Sequence, residues 1–230
     1  MNTTIYLWVV LPYVAVAVFV AGHAWRYRYD KFGWTTRSTQ LLESRWLAWG
    51  SNLFHYGALA AIGGHVLGIL IPARFMSYVG LGEDRYHLLS AGAGAVAGLT
   101  CAAGLVILVI RRHRFRRLHA TTSVMDMAVY PLLLVIIGLG LYETLWANGL
   151  GGRYDYRSTV AIWFRGLFSL DPHPELMAQA PIAYQLHAAV AWLLVALWPF
   201  SRLVHAWSLP FQYLGRPYIL YRSRYLAARR

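Results

Sequence analysis

The chain has 230 residues, 58% of them hydrophobic and only 13% charged, with a formal net charge of +12. That balance is too apolar for a soluble domain of this size and places the chain among membrane proteins. It also argues against a nucleic-acid binder, whose basic residues would sit on a polar domain, whereas here they lie between apolar runs.

The first apolar run, 4–25, has no basic residues before it and no evident small-residue cleavage site, so it reads as a retained helix rather than a signal peptide. Further runs follow at 47–71, 88–110, 124–146 and 183–208. Each can cross a hydrocarbon core of about 30 Å, which needs roughly 20 apolar residues. The expected fold is all-α: a single domain of five transmembrane helices with a tail at 209–230, and no soluble domain or internal repeat. The longest connection, 147–182, holds Trp163, Phe164, Leu167 and Phe168 in an amphipathic pattern that predicts a helix lying on the membrane surface.

Lysine and arginine are retained on the cytoplasmic side and so assign topology. The first connection carries Arg26, Arg28, Lys31, Arg37 and Arg45, the third Arg111, Arg112, Arg114, Arg116 and Arg117, and the last helix end and tail Arg202, Arg216, Arg222, Arg224, Arg229 and Arg230. These are 16 of the 21 basic residues; only Arg74, Arg85, Arg153, Arg157 and Arg165 fall in the second and fourth connections. The expectation is an N-terminus outside and a C-terminus in the cytoplasm. Retention alone accounts for the arginine excess, and a surface for a cytoplasmic partner can be superimposed on it.

A lone cysteine, Cys101, leaves no disulfide framework, no CxxCH haem attachment and no iron–sulfur ligand set, so a redox cofactor would need other side chains. Of nine histidines, His55 and His65 lie within the second span and His187 and His205 within the fifth. An ionisable residue in a span is a functional hypothesis by default, and neutral imidazole is a haem-iron ligand. The two spans run in opposite directions, so depth pairs His65 with His187 outside and His55 with His205 inside. The spacings do not match: 18 residues separate His187 from His205, about 27 Å of straight helix, and ten separate His55 from His65, about 15 Å. Helix tilt and a kink at Pro199 would reconcile them. Gly57, Gly63 and Gly64 would let a flat macrocycle approach the second span. His23, His87, His113, His119 and His173 sit at span ends or in connections and read as interfacial. A zinc site is disfavoured because the two pairs lie too far apart to share one ion.

The stretches SNLFHYGALAAIGGHVLG (51–68), RRLHATTSVMD (116–126), ELMAQAPIAYQLH (175–187) and WPFSRLVHAWSLPFQYLGRPY (198–218) closely resemble the gamma subunit of respiratory nitrate reductase, a membrane cytochrome b. The resemblance implies two haems b: an outer, distal one held by His65 and His187 and an inner, proximal one held by His55 and His205. It further implies quinol oxidation beside the outer haem, near Gly64 and His65. Electrons would pass to a cytoplasmic iron–sulfur (beta) subunit, with nitrate reduced on a separate molybdenum (alpha) subunit. The family's quinol pocket has a lysine in the connection after the second span. This chain has none there; the nearest basic residue is Arg85, in GEDRYH, which is assigned either a quinol contact or a pairing with Glu83 or Asp84. Two other readings remain: a related two-haem subunit of a sulfur-compound or heterodisulfide reductase, and a haem-free transporter relaying protons through the same histidines.

Overall fold

The computed structural model describes residues 3–207. In chain order its main helices are α1 (Thr3–Tyr29), α2 (Arg45–Leu70), α3 (Glu83–Arg114), α4 (Val124–Leu150), α5 (Val160–Ser169) and α6 (Ile182–Phe200). All but α5 are long and apolar enough to cross a membrane, and no strand occurs among the described residues.

Helix ends are set by local chemistry. At α4, the Ser123 hydroxyl accepts from the Asp126 N–H at 3.1 Å and the Asp126 carboxylate accepts from the Ser123 N–H at 3.0 Å, a reciprocal capping box. At α2, the Glu43 carboxylate accepts from the N–H groups of Trp46 and Leu47 at 2.8 and 3.3 Å, satisfying donors with no intrahelical partner. Burial pushes the Glu43 carboxyl up, but these two N–H groups and the Arg111 guanidinium outweigh it and hold the group below its ordinary value.

The closest crossing is α2 on α3, made possible by glycine on both sides. A Cβ at Gly57 would stand 2.7 Å from Cys101 Cα, and one at Gly104 2.7 Å from Phe54 Cα. Helix α3 also packs on α4, α4 on α6 and α6 on α1. Helices α2 and α6 are therefore held by different neighbours rather than chiefly by each other.

Three findings revise the sequence reading. The run expected as one helix over 183–208 is divided: α6 is α-helical to Leu197, tightens to a 3₁₀ turn over Trp198–Phe200, and gives way to extended backbone at Ser201 before a separate 3₁₀ helix, Arg202–Trp207. Pro199 cannot donate to the helical ladder and its ring disfavours continuation. Ser201 fixes the break, its hydroxyl donating to Trp198 O at 2.9 Å and accepting from Leu203 N at 3.1 Å.

The amphipathic helix α5 turns its apolar stripe into the protein. Trp163 and Leu167 are buried with Trp8, Met177, Tyr184 and Trp192, and Trp163 Nε1 donates to Trp8 O at 2.8 Å, while Phe168 stays exposed. The bundle itself supplies the apolar surface that lipid was expected to supply.

The arginine excess is more than a retention signal. Arg26, Arg111 and Arg112 are buried. Arg26 donates to the carbonyls of Pro199 and Gly33, both at 2.6 Å, and Arg111 to Glu43 Oε2 at 2.5 Å, Glu43 O at 2.6 Å and Thr39 Oγ1 at 3.0 Å. These guanidinium groups tie the connections to the helices at one end of the bundle, its arginine-rich end.

Candidate functional site

Two pairs of histidine rings face each other between α2 and the segment that runs from α6 into the 3₁₀ helix Arg202–Trp207. His55 and His205 have ring centroids 5.9 Å apart, and His65 and His187 6.0 Å apart. The first pair lies at the arginine-rich end, since His205 is in the 3₁₀ helix that begins with Arg202; the second lies toward the opposite end. The departure from the helix at Ser201, after the 3₁₀ turn at Trp198–Phe200, turns the chain so that His205 still meets His55, though ten residues separate the histidines of α2 and eighteen the other two. A straight helix would have carried His205 about 12 Å too far.

Three rings are oriented by main-chain carbonyls one turn earlier: His55 Nδ1 lies 2.7 Å from Ser51 O, His65 Nδ1 2.7 Å from Ala61 O, and His205 Nδ1 2.6 Å from Arg202 O. A carbonyl only accepts, so each contact puts the ring proton on Nδ1 and the lone pair on Nε2, the state that ligates a metal. His187 Nδ1 has no such carbonyl and makes no hydrogen bond; Glu143 Oε2 of α4 lies 3.4 Å from it.

Among the described residues no group of three or more His, Cys, Asp or Glu is placed to hold a bare metal ion. Two facing imidazoles suit a metal that brings its other donors with it, as haem iron does. Metal–imidazole bonds of about 2 Å on each side place ring centres roughly 6 Å apart. Separation alone is not diagnostic, because His113 and His119 are also 5.9 Å apart, but that pair lies beside the arginines of 111–117, beyond the apolar part of α3. Space beside α2 also fits a macrocycle, since a Cβ at Gly63 or Gly64 would meet nothing within 4 Å.

Around the His65–His187 end lies a polar group that the sequence reading did not single out. Tyr86 and Tyr156 hydroxyls are 2.9 Å apart against Gly68, Asn148 donates to the Tyr184 hydroxyl at 2.7 Å, and Arg165 donates to Ile69 O at 2.7 Å. Burial, and after it the Tyr86 hydroxyl, pushes the Tyr156 phenol above its ordinary value. Arg157 is buried, with its guanidinium 4.1 Å from the Tyr86 ring centre. Arg85 is exposed at the start of α3. It pairs with neither neighbouring carboxylate: Asp84 binds Arg153 at 2.8 Å and Glu83 lies 3.8 Å from Arg157. Glu143 had a sequence signal, being the one acidic residue of the five spans outside a first helical turn.

The other histidines stand apart from both pairs. His23 Nδ1 contacts Phe19 O at 2.7 Å within a nest of Phe19, Trp34 and Trp207, and His173 lies beside Asp171 and Glu175.

Five apolar spans with two facing histidine pairs between them define a multi-pass membrane protein. The chain belongs to the nitrate reductase gamma subunit family, whose model matches residues 4–224. It is 43% identical to the nitrate reductase gamma chain of Bacillus subtilis over 95% of this chain and 97% of that one. It is 33% identical to the respiratory nitrate reductase 1 gamma chain of Escherichia coli, over 94% and 96% respectively. The nitrate reductase-like protein NarX of Mycobacterium tuberculosis is 47% identical over 94% of this chain, which spans only 33% of NarX.

Proposed function

We propose that the chain is the quinol-oxidising, di-haem b membrane subunit of a respiratory nitrate reductase. The observation that carries this reading is the pair of facing histidine sets, one toward each end of the bundle, in a chain of the gamma subunit family. His65 and His187 would hold an outer haem, and His55 and His205 an inner one. Bound haem iron supplies one-electron relay between two oxidation states.

The chain's own residues bind and orient. Main-chain carbonyls fix the tautomers of His55, His65 and His205, and α4 encloses His187. Membrane quinol would enter beside Gly64 and His65, with Arg85 donating to a quinone oxygen and the protons leaving on the outer side. Electrons would leave at the arginine-rich, cytoplasmic end for an iron–sulfur (beta) subunit and reach a molybdenum (alpha) subunit where nitrate is reduced. In this arrangement the N-terminus is outside and the C-terminus inside.

The test is a reduced-minus-oxidised optical spectrum of the purified full-length protein. The expected result is two low-spin haem components with separate midpoint potentials, reducible by a quinol analogue. A spectrum without haem α-bands would overturn the reading in favour of a proton-relay transporter. Co-purification with a sulfur-compound or heterodisulfide reductase in place of nitrate reductase subunits would move the chain to that complex.

A further inference from the structure

The four paired histidines are not oriented alike. Three direct Nδ1 at a main-chain carbonyl 2.6–2.7 Å away, whereas His187 Nδ1 is buried without a hydrogen-bond partner and its nearest carboxyl oxygen, Glu143 Oε2, stands 3.4 Å away. Both partners are largely enclosed, with side-chain exposures of 19% for His187 and 12% for Glu143, and the second carboxyl oxygen, Oε1, is buried without a partner. The remainder of α4 is built to bring the two together. Gly140, one turn before Glu143, lets the helix approach the ring: a Cβ there would stand 3.0 Å from His187 Cε1 and 3.5 Å from Nδ1. Glu143 itself opens a π-helical stretch, Glu143–Leu150, a local widening that is frequent at functional sites. A carboxyl group in an apolar span is costly to keep unless something uses it.

We infer that Glu143 is a positioning residue for His187, accepting the Nδ1 proton of the iron-ligating imidazole and so holding the outer haem at a lower potential than a main-chain acceptor would. The inference rests on the reading of His187 as an outer-haem ligand. With Nε2 committed to iron, the ring's remaining proton is on Nδ1, and a carboxyl oxygen facing it is the acceptor. A stronger acceptor makes the imidazole a stronger donor to the metal, and stronger donation favours the oxidised iron. A lower outer potential directs the electron onward, from the quinol end to the inner pair. In the inner pair, His55 Nδ1 is directed at Ser51 O, with the Ser51 hydroxyl 3.2 Å away, and His205 Nδ1 at Arg202 O. Because the effect acts through a ligand, it is separable from any role of Gly64 or Arg85 in binding quinol.

The test is a redox titration of the haem-loaded full-length protein, with the two components resolved optically and by the low-spin electron paramagnetic resonance signal of each. His187→Ala identifies the outer component by its loss. Glu143→Gln keeps the shape and an acceptor oxygen but weakens the acceptor, and Glu143→Leu removes it. Both should shift the outer component to higher potential, Leu more than Gln, and alter its resonance while the inner component stays in place; Glu143→Asp should recover part of the shift. If Glu143→Leu loses the outer haem, the Gln variant decides. An unchanged outer component in Glu143→Gln and Glu143→Leu, or an equal shift of both components, would overturn this inference alone. An unsubstituted protein without haem would overturn the functional reading and this inference with it.

Discussion

Asp126 and Arg202 meet through both carboxylate oxygens, Nε to Oδ1 at 2.5 Å and Nη2 to Oδ2 at 2.7 Å. The contact joins the start of α4 to the 3₁₀ helix that holds His205. The same Arg202 supplies the carbonyl that fixes the His205 ring, and the same Asp126 caps α4 and lies 3.8 Å from the buried Arg112. One carboxylate therefore positions a helix end, a buried guanidinium and, through Arg202, a paired histidine.

Asp126→Asn should accordingly do two things. Removing one charge from a buried bidentate pair leaves guanidinium groups without their counter-charge, at a cost of about 3 kcal/mol. Thermal unfolding of the purified protein should fall by several degrees, and haem loss should begin at the His55–His205 pair before it affects His65–His187. Equal loss from both pairs would mean that Asp126 serves only the fold.

The ring pairs make a sharper prediction about single histidines. His65→Ala and His187→Ala should each abolish the same redox component, and His55→Ala and His205→Ala should each abolish the other. Redox titration of the four variants checks this. Loss of one common component in His55→Ala and His65→Ala would break the assignment of each haem to one pair.

Glycines on α2 separate fold from function. Gly57→Val would press a branched side chain onto the α3 backbone at Cys101 and should cost about 2 kcal/mol, visible as reduced accumulation in the membrane. A Cβ at Gly64 meets no protein atom within 4 Å, so Gly64→Ala should leave folding intact. A fall in quinol oxidation in the Gly64→Ala variant with an unchanged haem spectrum is then a property of the quinol site, and a changed spectrum would place the haem against Gly64.

The five spans were legible because length and apolarity suffice to recognise them. The approach of the rings follows largely from depth, since two spans of opposite direction with histidines toward each end must bring those ends together. What was not legible depended on tertiary neighbours. The pattern of α5 is amphipathic whether its apolar stripe meets lipid or protein, and only Trp8 and Trp192 decide which. Arg26, Arg111 and Arg112 look like any cytoplasmic arginine until Pro199 O, Glu43 and Asp126 are seen beside them. The break at Ser201 had a sequence signal in Pro199, but how far the chain unwinds after a proline is set by local side-chain bonds such as those of the Ser201 hydroxyl.

The arginine-rich end should also carry the partner surface. The proposed contact combines the connection after α3, where Arg114, Arg116 and Arg117 are exposed, with the tail from Arg216 to Arg230, which lies outside the described residues. In the tail, Tyr218, Tyr221 and Tyr225 interleave with Arg222 and Arg224, residue types enriched at interfaces. Truncation after Tyr213 should leave both haems in place and release the soluble subunits. Their full retention in detergent would place the docking surface elsewhere.

Sidedness decides whether the reaction conserves energy. If quinol is oxidised at the His65–His187 end and electrons leave at the arginine-rich end, each electron crosses most of the membrane potential, worth about 2.3 kcal/mol per charge per 100 mV. Protons left behind on the outer side complete the charge separation without a pumping channel. Arg85 is placed to assist at the surface of that end, exposed at the start of α3, with the adjacent Asp84 and Glu83 turned toward Arg153 and Arg157. Its cation is thus not neutralised by either neighbouring carboxylate and can donate to a quinone oxygen as that oxygen gains negative charge. Arg85→Ala should weaken quinol oxidation several-fold, with both haems present and their spectra unchanged, whereas Arg85→Lys should keep most of the activity because it retains a cationic donor at that position. In intact cells with the unsubstituted protein, a pH electrode should record acidification of the medium when quinol is oxidised. Normal quinol kinetics in Arg85→Ala would remove that residue from the site and nothing else; proton release on the cytoplasmic side would reverse the orientation drawn from the arginines and, with it, the assignment of outer and inner haem.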